Sequence, residues 1–340
     1  MSKVAVHDSQ DRFTRKIVDS LKRRGVDYTT VDCYSHDILS RVQGCDILIW
    51  IWSLDTPEAF RFAPKLIYAL QMKGLKVFPD FRASALYDDK IAQKYFLDAL
   101  GVESAVKSYI FFRERDAMEW IATARFPKVF KLSAGAGSNA VSLCRSAKEA
   151  ETLVKRAFGR GFPIFDRAEW FRDSLRKFRK EPSMSALEAL SRAFVRLFIP
   201  TARERLFGRE RGYLYFQDFI PGNDFDIRVI VVGERAVAIK RVCREGDFRA
   251  SGSGTILYGH KEIPREALRI SFEISEKSDF LCMAYDYVFD ESKALLVEMS
   301  YHFSATAYDE CDGYWDRELR WHDARVDIQD MIVEALLGKS

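Results

Sequence analysis

Apolar and polar positions follow two periods along this chain, and they change over several times. In the first eighty residues the apolar runs "KVAVHD", "CDILIWIW" and "LKVFPD" read as strands. Between them Gln10 to Arg24 and Pro57 to Lys73 carry helical spacing, stopped by Gly25 and Gly74. Strand–helix alternation of this kind predicts a small parallel α/β unit. Residues 84–100, "SALYDDKIAQKYFLDAL", read as one amphipathic helix ending at Gly101. The strand "SYIFF" and a helix over Asp116 to Ala124 follow.

"KVFKLSAGAGSNAVSL" then starts as a strand and breaks into seven small residues, Ser133 to Asn139, before a second strand. A hairpin needs only two to five residues to turn. Ser146 and Glu149 have the spacing of a capping box at a helix start. Residues 160–211 read as amphipathic helices interrupted near Pro182 and Pro200. From Tyr213 onward the pattern is strand-rich: "YLYFQDFI", "FDIRVIVV", "RAVAIKRVC", a helix over 264–277, then "FLCMAYDYVFD" and "ALLVEMSY". A helix near 326–337 closes the chain.

Length and composition narrow the class. At 340 residues, 48% hydrophobic and net charge +3, the chain suits two or three globular units, and its total charge names no partner. The most apolar stretch, "ILIWIW", is too short to span a bilayer, and no secretory leader pattern opens the sequence. The six cysteines show no CxxC spacing and read as buried free thiols of a cytoplasmic protein. Charge is local instead: residues 160–211 hold thirteen Lys or Arg against seven Asp or Glu. That surplus reads either as a solvated helix face or as a surface for an anionic acceptor. No nucleic-acid-binding signature accompanies it.

Three clusters carry chemistry. Lys90 and Lys131 are basic, and Lys131 enters the small-residue loop, where backbone amides and a lysine can hold phosphate oxygens. An exposed hairpin is the other reading of that loop. In "YFQDFIPGNDFDIRVIVV" an apolar strand runs into Pro-Gly and an acid, a segment that can meet a purine edge while Asp224 reaches ribose hydroxyls. A plain turn with solvated Asp224 and Asp226 is the alternative. Asp286 and Glu298 lie in apolar strands, where a carboxylate is costly unless paired or bound to metal. Two carboxylates on adjacent strands suit Mg²⁺ shared with nucleotide phosphates, and ion pairs to Lys240 or Arg241 are the competing reading.

In their order, "DDKIAQKYFLDALGV", "PKVFKLSAGAGSNAV", "FQDFIPGNDFDIRVIVVGERAVAIKR", "EGDFRASGSG", "AYDYVF" and "LLVEMSY" resemble the ATP-grasp superfamily. The closer likeness is to its ribosomal-protein glutamate ligase and glutathione synthetase-like branch, with some similarity to a subset found in polysaccharide biosynthesis. The resemblance spans roughly residues 80–305. It implies an α/β (α+β) ATP-grasp fold: an N-terminal α/β domain over 1–83, then two α+β subdomains sandwiching ATP. These are a central lid subdomain over 84–215, with the basic insertion at 160–211, and a C-terminal subdomain over 216–340.

By the same resemblance, Lys90 and Lys131 contact ATP phosphates, and the loop containing Ser133, Gly135, Gly137 and Ser138 forms a lid. Gln217, Asp218, Phe219 and Ile220 line the adenine pocket, and Asp224 holds the ribose. Asp286, Glu298 and Ser300 bind Mg²⁺, with Ser300 where the family commonly has asparagine. Arg228, Lys240, Arg241 and Arg249 face the γ-phosphate or a substrate carboxylate. The implied activity is ligation of a carboxylate to an amine through an acylphosphate, on a small molecule or a sugar. The motifs leave open a kinase on the same fold, a non-catalytic module binding an acidic partner, and a homodimer.

Overall fold

A computed structural model gives the structure over residues 2–53, 56–134, 141–164, 167–180, 182–243 and 255–338. The chain forms two units, Met1–Val106 with Ile220–Ser340, and Lys107–Phe219. Residues 84–106 therefore belong to the first unit.

The first unit opens with strands β1 (Val4–His7), β2 (Tyr28–Val31), β3 (Ile47–Ile49) and β4 (Lys76–Phe78), connected by helices α1 (Arg12–Arg23), α2 (Ile38–Arg41) and α3 (Pro57–Met72). They make the expected parallel sheet, in the order β2-β1-β3-β4. Strand β2 is an edge strand whose "YTTV" buries only Val31, so its alternation is too weak to read from sequence. The single helix expected over 84–100 is two, α4 (Phe81–Ala85) and α5 (Lys90–Ala99). Between them Asp88 adopts φ +53°. The Asp89 carboxylate then accepts hydrogen bonds from the Ile91 and Ala92 amides, both at 3.0 Å. Adjacent aspartates end one helix and cap the next, which puts Lys90 at the first helical position.

The second unit contains β5 (Ser108–Phe111), α6 (Glu114–Ile121), β6 (Lys128–Lys131), β7 (Val141–Cys144), α7 (Ala147–Phe158) and β8 (Phe162–Pro163). Helices α8 (Arg167–Lys180), α9 (Met184–Phe198) and α10 (Ala202–Phe207) follow, then β9 (Arg209–Glu210) and β10 (Leu214–Asp218). Its main sheet is antiparallel, β5-β10-β6-β7. Phe130, Leu132, Leu214 and Phe216 form a core with Ala117 and Ile121 of α6 and Ala150 and Val154 of α7. The break at Pro182 is confirmed by Ser183, whose hydroxyl accepts from the Ala186 amide at 3.1 Å. Thr201 and Glu204 form a full capping box after Pro200.

The chain completes the first unit with β11 (Phe225–Val232), β12 (Arg235–Val242), β13 (Ile256–Leu257), α11 (Arg265–Ser278), β14 (Cys282–Asp290), β15 (Lys293–Ser300), β16 (Gly313–Trp315), β17 (Trp321–Asp323) and α12 (Ile328–Leu336). These strands form an antiparallel sheet, β15-β14-β11-β12-β16-β17, with β13 on β12. Alternation splits its apolar residues between two cores. Ile227, Val229, Ala238 and Tyr285 pack with Ala267 and Leu268 of α11, whereas Ile230, Val237, Ile239 and Ala284 pack with Ile332 and Val333 of α12. All six cysteines are free thiols, five of them buried. Among the described residues no helix is long and apolar enough to cross a membrane.

A polar staple joins α1 to α12. Arg24 Nη2 and Nε donate to Asp330 at 2.6 and 3.1 Å. Partial burial opposes ionisation of Asp330, but hydrogen bonds from Arg24 and Ser20 outweigh it and bring its pKa down to about 2. A carboxylate depressed in the folded state stabilises fully above its unfolded pKa near 3.8 and loses that contribution as pH falls towards 2. Asp330→Asn should therefore lower unfolding free energy by about 1 kcal/mol at pH 7. The difference from the parent should shrink in urea titrations as pH falls below about 4 and vanish only below about pH 2.

Candidate functional site

On the α12-facing side of the large sheet the apolar pattern gives way to four charges. Asp226 and Arg228 share one parity on β11, Asp286 is opposite Arg228 on β14, and Arg241 is opposite Asp226 on β12. Arg228 forms a two-pronged pair with Asp286, Nε to Oδ1 at 2.5 Å and Nη2 to Oδ2 at 2.6 Å. Arg241 Nε bonds Asp226 Oδ1 at 2.6 Å, and its Nη2 lies 3.0 Å from Asp286 Oδ2. Asp286 is thus shared by two guanidiniums. Burial opposes its ionisation, yet Arg228 and Arg241 hold its pKa well below the usual carboxylate range. Asp226 goes the other way: burial raises its pKa against the pull of Arg241. Tyr308 lies against the same arginines, and burial lifts its hydroxyl to about 12.

Glu298 is the cross-strand partner of Asp286, at a register shift in the β14–β15 pair. Its Oε1 lies 3.5 Å from Nζ of Lys90, a lysine that is buried at the start of α5. Gln93, one turn further along α5, ties that helix to β15. Its amide donates to the Met299 carbonyl at 2.9 Å and accepts from the Met299 amide at 3.1 Å. Lys90, Glu298 and Asp286 are therefore neighbours.

Ser300 is committed elsewhere, since its hydroxyl donates to the His302 carbonyl at 2.7 Å and accepts from the His302 amide. Among the described residues no cluster of three or more acidic, histidine or cysteine groups forms a closed metal cage. Asp286 and Glu298 are a carboxylate pair on neighbouring strands, with both Asp286 oxygens held by Arg228 and Arg241 and Glu298 beside Lys90. Lys240 departs from the expected grouping. It neighbours Arg241 on β12, so it points to the opposite face, where it pairs with Glu262 at 3.0 Å and lies over the Phe225 ring. Asp224 is exposed, and its carbonyl accepts from the Cys243 amide. Arg249 lies outside the described residues.

In the second unit a separate polar group forms on one face of the sheet. Buried Lys131 donates to Gln217 Oε1 at 2.6 Å, and Gln217 Nε2 reaches Ser108 Oγ at 3.2 Å. Tyr215 donates to the same hydroxyl at 2.9 Å. Asp218, next along the strand, turns to the other side and pairs with Lys128. The Ser133 amide donates to the Tyr213 hydroxyl at 2.6 Å, fixing the base of the small-residue loop. Gly135, Gly137 and Ser138 lie outside the described residues. Phe219 and Ile220 are half-buried at the point where the chain passes from the second unit to the first.

Asp226, Tyr308, Ser108 and Gln93 are the groups that motif reading missed. The signal for Asp226 was present in its parity with Arg228 in "FDIRV". The others are assembled by distant segments and leave no local trace.

A RimK-like ATP-grasp domain model matches residues 204–305, and no curated protein sequence matches the chain. Among solved structures, similarity extends over nearly the whole chain. The RimK domain ATP-grasp protein from Sphaerobacter thermophilus gives a TM-score of 0.57 at 15% identity, covering 99% of this chain and 100% of that one. The D-alanine–D-alanine ligase from Bacillus anthracis gives 0.55 at 12%, covering 99% and 98%. The N5-carboxyaminoimidazole ribonucleotide synthetase from Thermotoga maritima gives 0.59 at 12%, covering 99% and 76%. The fold is ATP-grasp. Within that fold, structures that differ this much in sequence identify architecture and leave the substrate to the side chains of each site.

The charge cluster makes a stability prediction. Arg228→Leu strips Asp286 of its two-pronged partner in a buried setting and should cost about 3 kcal/mol in urea denaturation. Lys240→Ala, on the other face and partnered by an exposed glutamate, should cost less than about 1 kcal/mol in the same experiment.

Proposed function

We propose that the protein is an ADP-forming carboxylate–amine ligase using ATP. The observation that carries this reading is the buried Arg228–Asp286–Arg241 cluster with Glu298 and Lys90 beside it, in a chain of ATP-grasp fold. Lys131 and Gln217 are assigned to ATP, Lys90 to its phosphates, and Asp286 with Glu298 to Mg²⁺. When bound, Mg²⁺ would supply positive charge to the phosphate oxygens. Arg228 and Arg241 are charged, pre-positioned donors for the transferring phosphoryl group and for the substrate carboxylate.

A carboxylate oxygen attacks the γ-phosphorus, the bond from that phosphorus to the β–γ bridging oxygen breaks, and ADP leaves. The amine then attacks the acyl carbon, loses a proton, and expels phosphate. Guanidinium groups near the acyl oxygen offset the negative charge that develops there. No protein nucleophile is used. The substrate pair is assigned as a carboxylate, on a small molecule or a sugar, and an amine.

The test is ADP and phosphate release from Mg·ATP with pooled carboxylates, amines and sugars bearing each group. Release should require both a carboxylate and an amine, and Glu298→Gln should reduce it by about a hundredfold or more with folding retained. ADP formed with a hydroxyl acceptor and without phosphate would make the protein a kinase. Undiminished activity in Glu298→Gln would remove the metal assignment.

A further inference from the structure

Helix α9 has two apolar faces, and among the described residues one is covered while the other is largely exposed. Ala193 is buried, and Ala186, Ala189, Leu190 and Leu197 are half-buried, on the side turned to α8. At 100° per residue, Met184, Leu187, Phe194, Val195 and Phe198 share a separate arc of roughly 100°. These side chains are 73, 45, 53, 51 and 71% exposed, and Ile199 prolongs the arc at 52%. The Phe194 and Phe198 rings meet edge to face at 5.6 Å, and Phe194 also lies 6.1 Å from Phe171 of α8, so the ridge starts at the edge of the α8 contact and runs outward to Phe198 and Met184. Arg192 and Arg196 are exposed along its margin, with Glu188 the one exposed acid beside them on α9, and Arg172, Arg176 and Arg179 are exposed on neighbouring α8, so the described charge at the margin is net positive.

We propose that this α8–α9 hairpin docks in the plane of an anionic lipid surface. The apolar side chains stand on a convex helix, the shape that inserts between headgroups, whereas an acidic protein would need a complementary groove of its own. A helix of fifteen residues, about 22 Å long, can lie along the interface without spanning it. The basic margin supplies the attraction to anionic headgroups. A second copy of the chain is a poor cover, because a two-fold contact through α9 would bring two basic segments together.

The full-length protein should co-sediment with phosphatidylcholine vesicles containing roughly one-third phosphatidylglycerol, and much less with phosphatidylcholine alone. Added salt should weaken the binding. Met184→Ser with Phe198→Ser should reduce it by about tenfold or more, and Arg192→Gln with Arg196→Gln by about fivefold per arginine. Both variants should keep the parent's thermal midpoint, since the four side chains are exposed. The proposal is overturned by equal sedimentation with neutral vesicles or by none at all. A solution dimer that Phe198→Ser dissociates, or retention on polyglutamate without vesicle binding, would also overturn it by giving the ridge a protein occupant.

Discussion

A charge removed from water must be matched where it lies, and that requirement organises the large sheet around Asp286. Its carboxylate is opposed by Arg228 across the strand pair and by Arg241 from the next strand, while Asp226 balances Arg241. Two positive and two negative groups form a neutral set within a mostly buried layer. The set also fixes register. A one-residue slip of β11 would turn Asp226 and Arg228 into the core occupied by Ile227 and Val229, at a cost that apolar repacking could not offset.

The same constraint connects packing to chemistry. Guanidiniums held by carboxylates on rigid strands keep their charge and a fixed orientation. Position follows from ordinary local rules: the Asp88–Asp89 pair starts α5 at Lys90, Gln93 fastens that helix to β15, and cross-strand register puts Glu298 beside Asp286. In the second unit Lys131 is fixed in the same way by Gln217 and, through it, Ser108. Each unit thus holds its own polar group on the inner positions of a strand, where rotamers are restrained by the neighbouring strands.

Much of this was legible in the sequence because strands and helices of strong periodicity announce themselves. The parallel opening sheet, the hairpin around the small-residue loop, the helices flanking Pro182 and the four long strands of the large sheet all follow from pattern. What escaped was set by weaker or more distant terms. Strand β2 buries one residue, and β16 and β17 are three residues each, too short for a period. The expected long helix over 84–100 is divided because two aspartates prefer a left-handed turn and a cap to continued helix. Grouping Lys240 with Arg241 overlooked the alternation of a strand, which sends neighbours to opposite faces. Ser300 follows Glu298 at the spacing of a ligand, but a turn to His302 uses its hydroxyl.

Titration calorimetry of ATP, with and without Mg²⁺, into the parent protein and into Asp286→Asn addresses the account most directly. The parent should bind ATP more tightly with Mg²⁺ than without it, and Asp286→Asn, which keeps the shape but loses the charge, should abolish this difference. An Asp286→Asn protein that retains the full Mg²⁺-dependent gain would contradict it, leaving Asp286 as a structural counter-ion to Arg228 and Arg241.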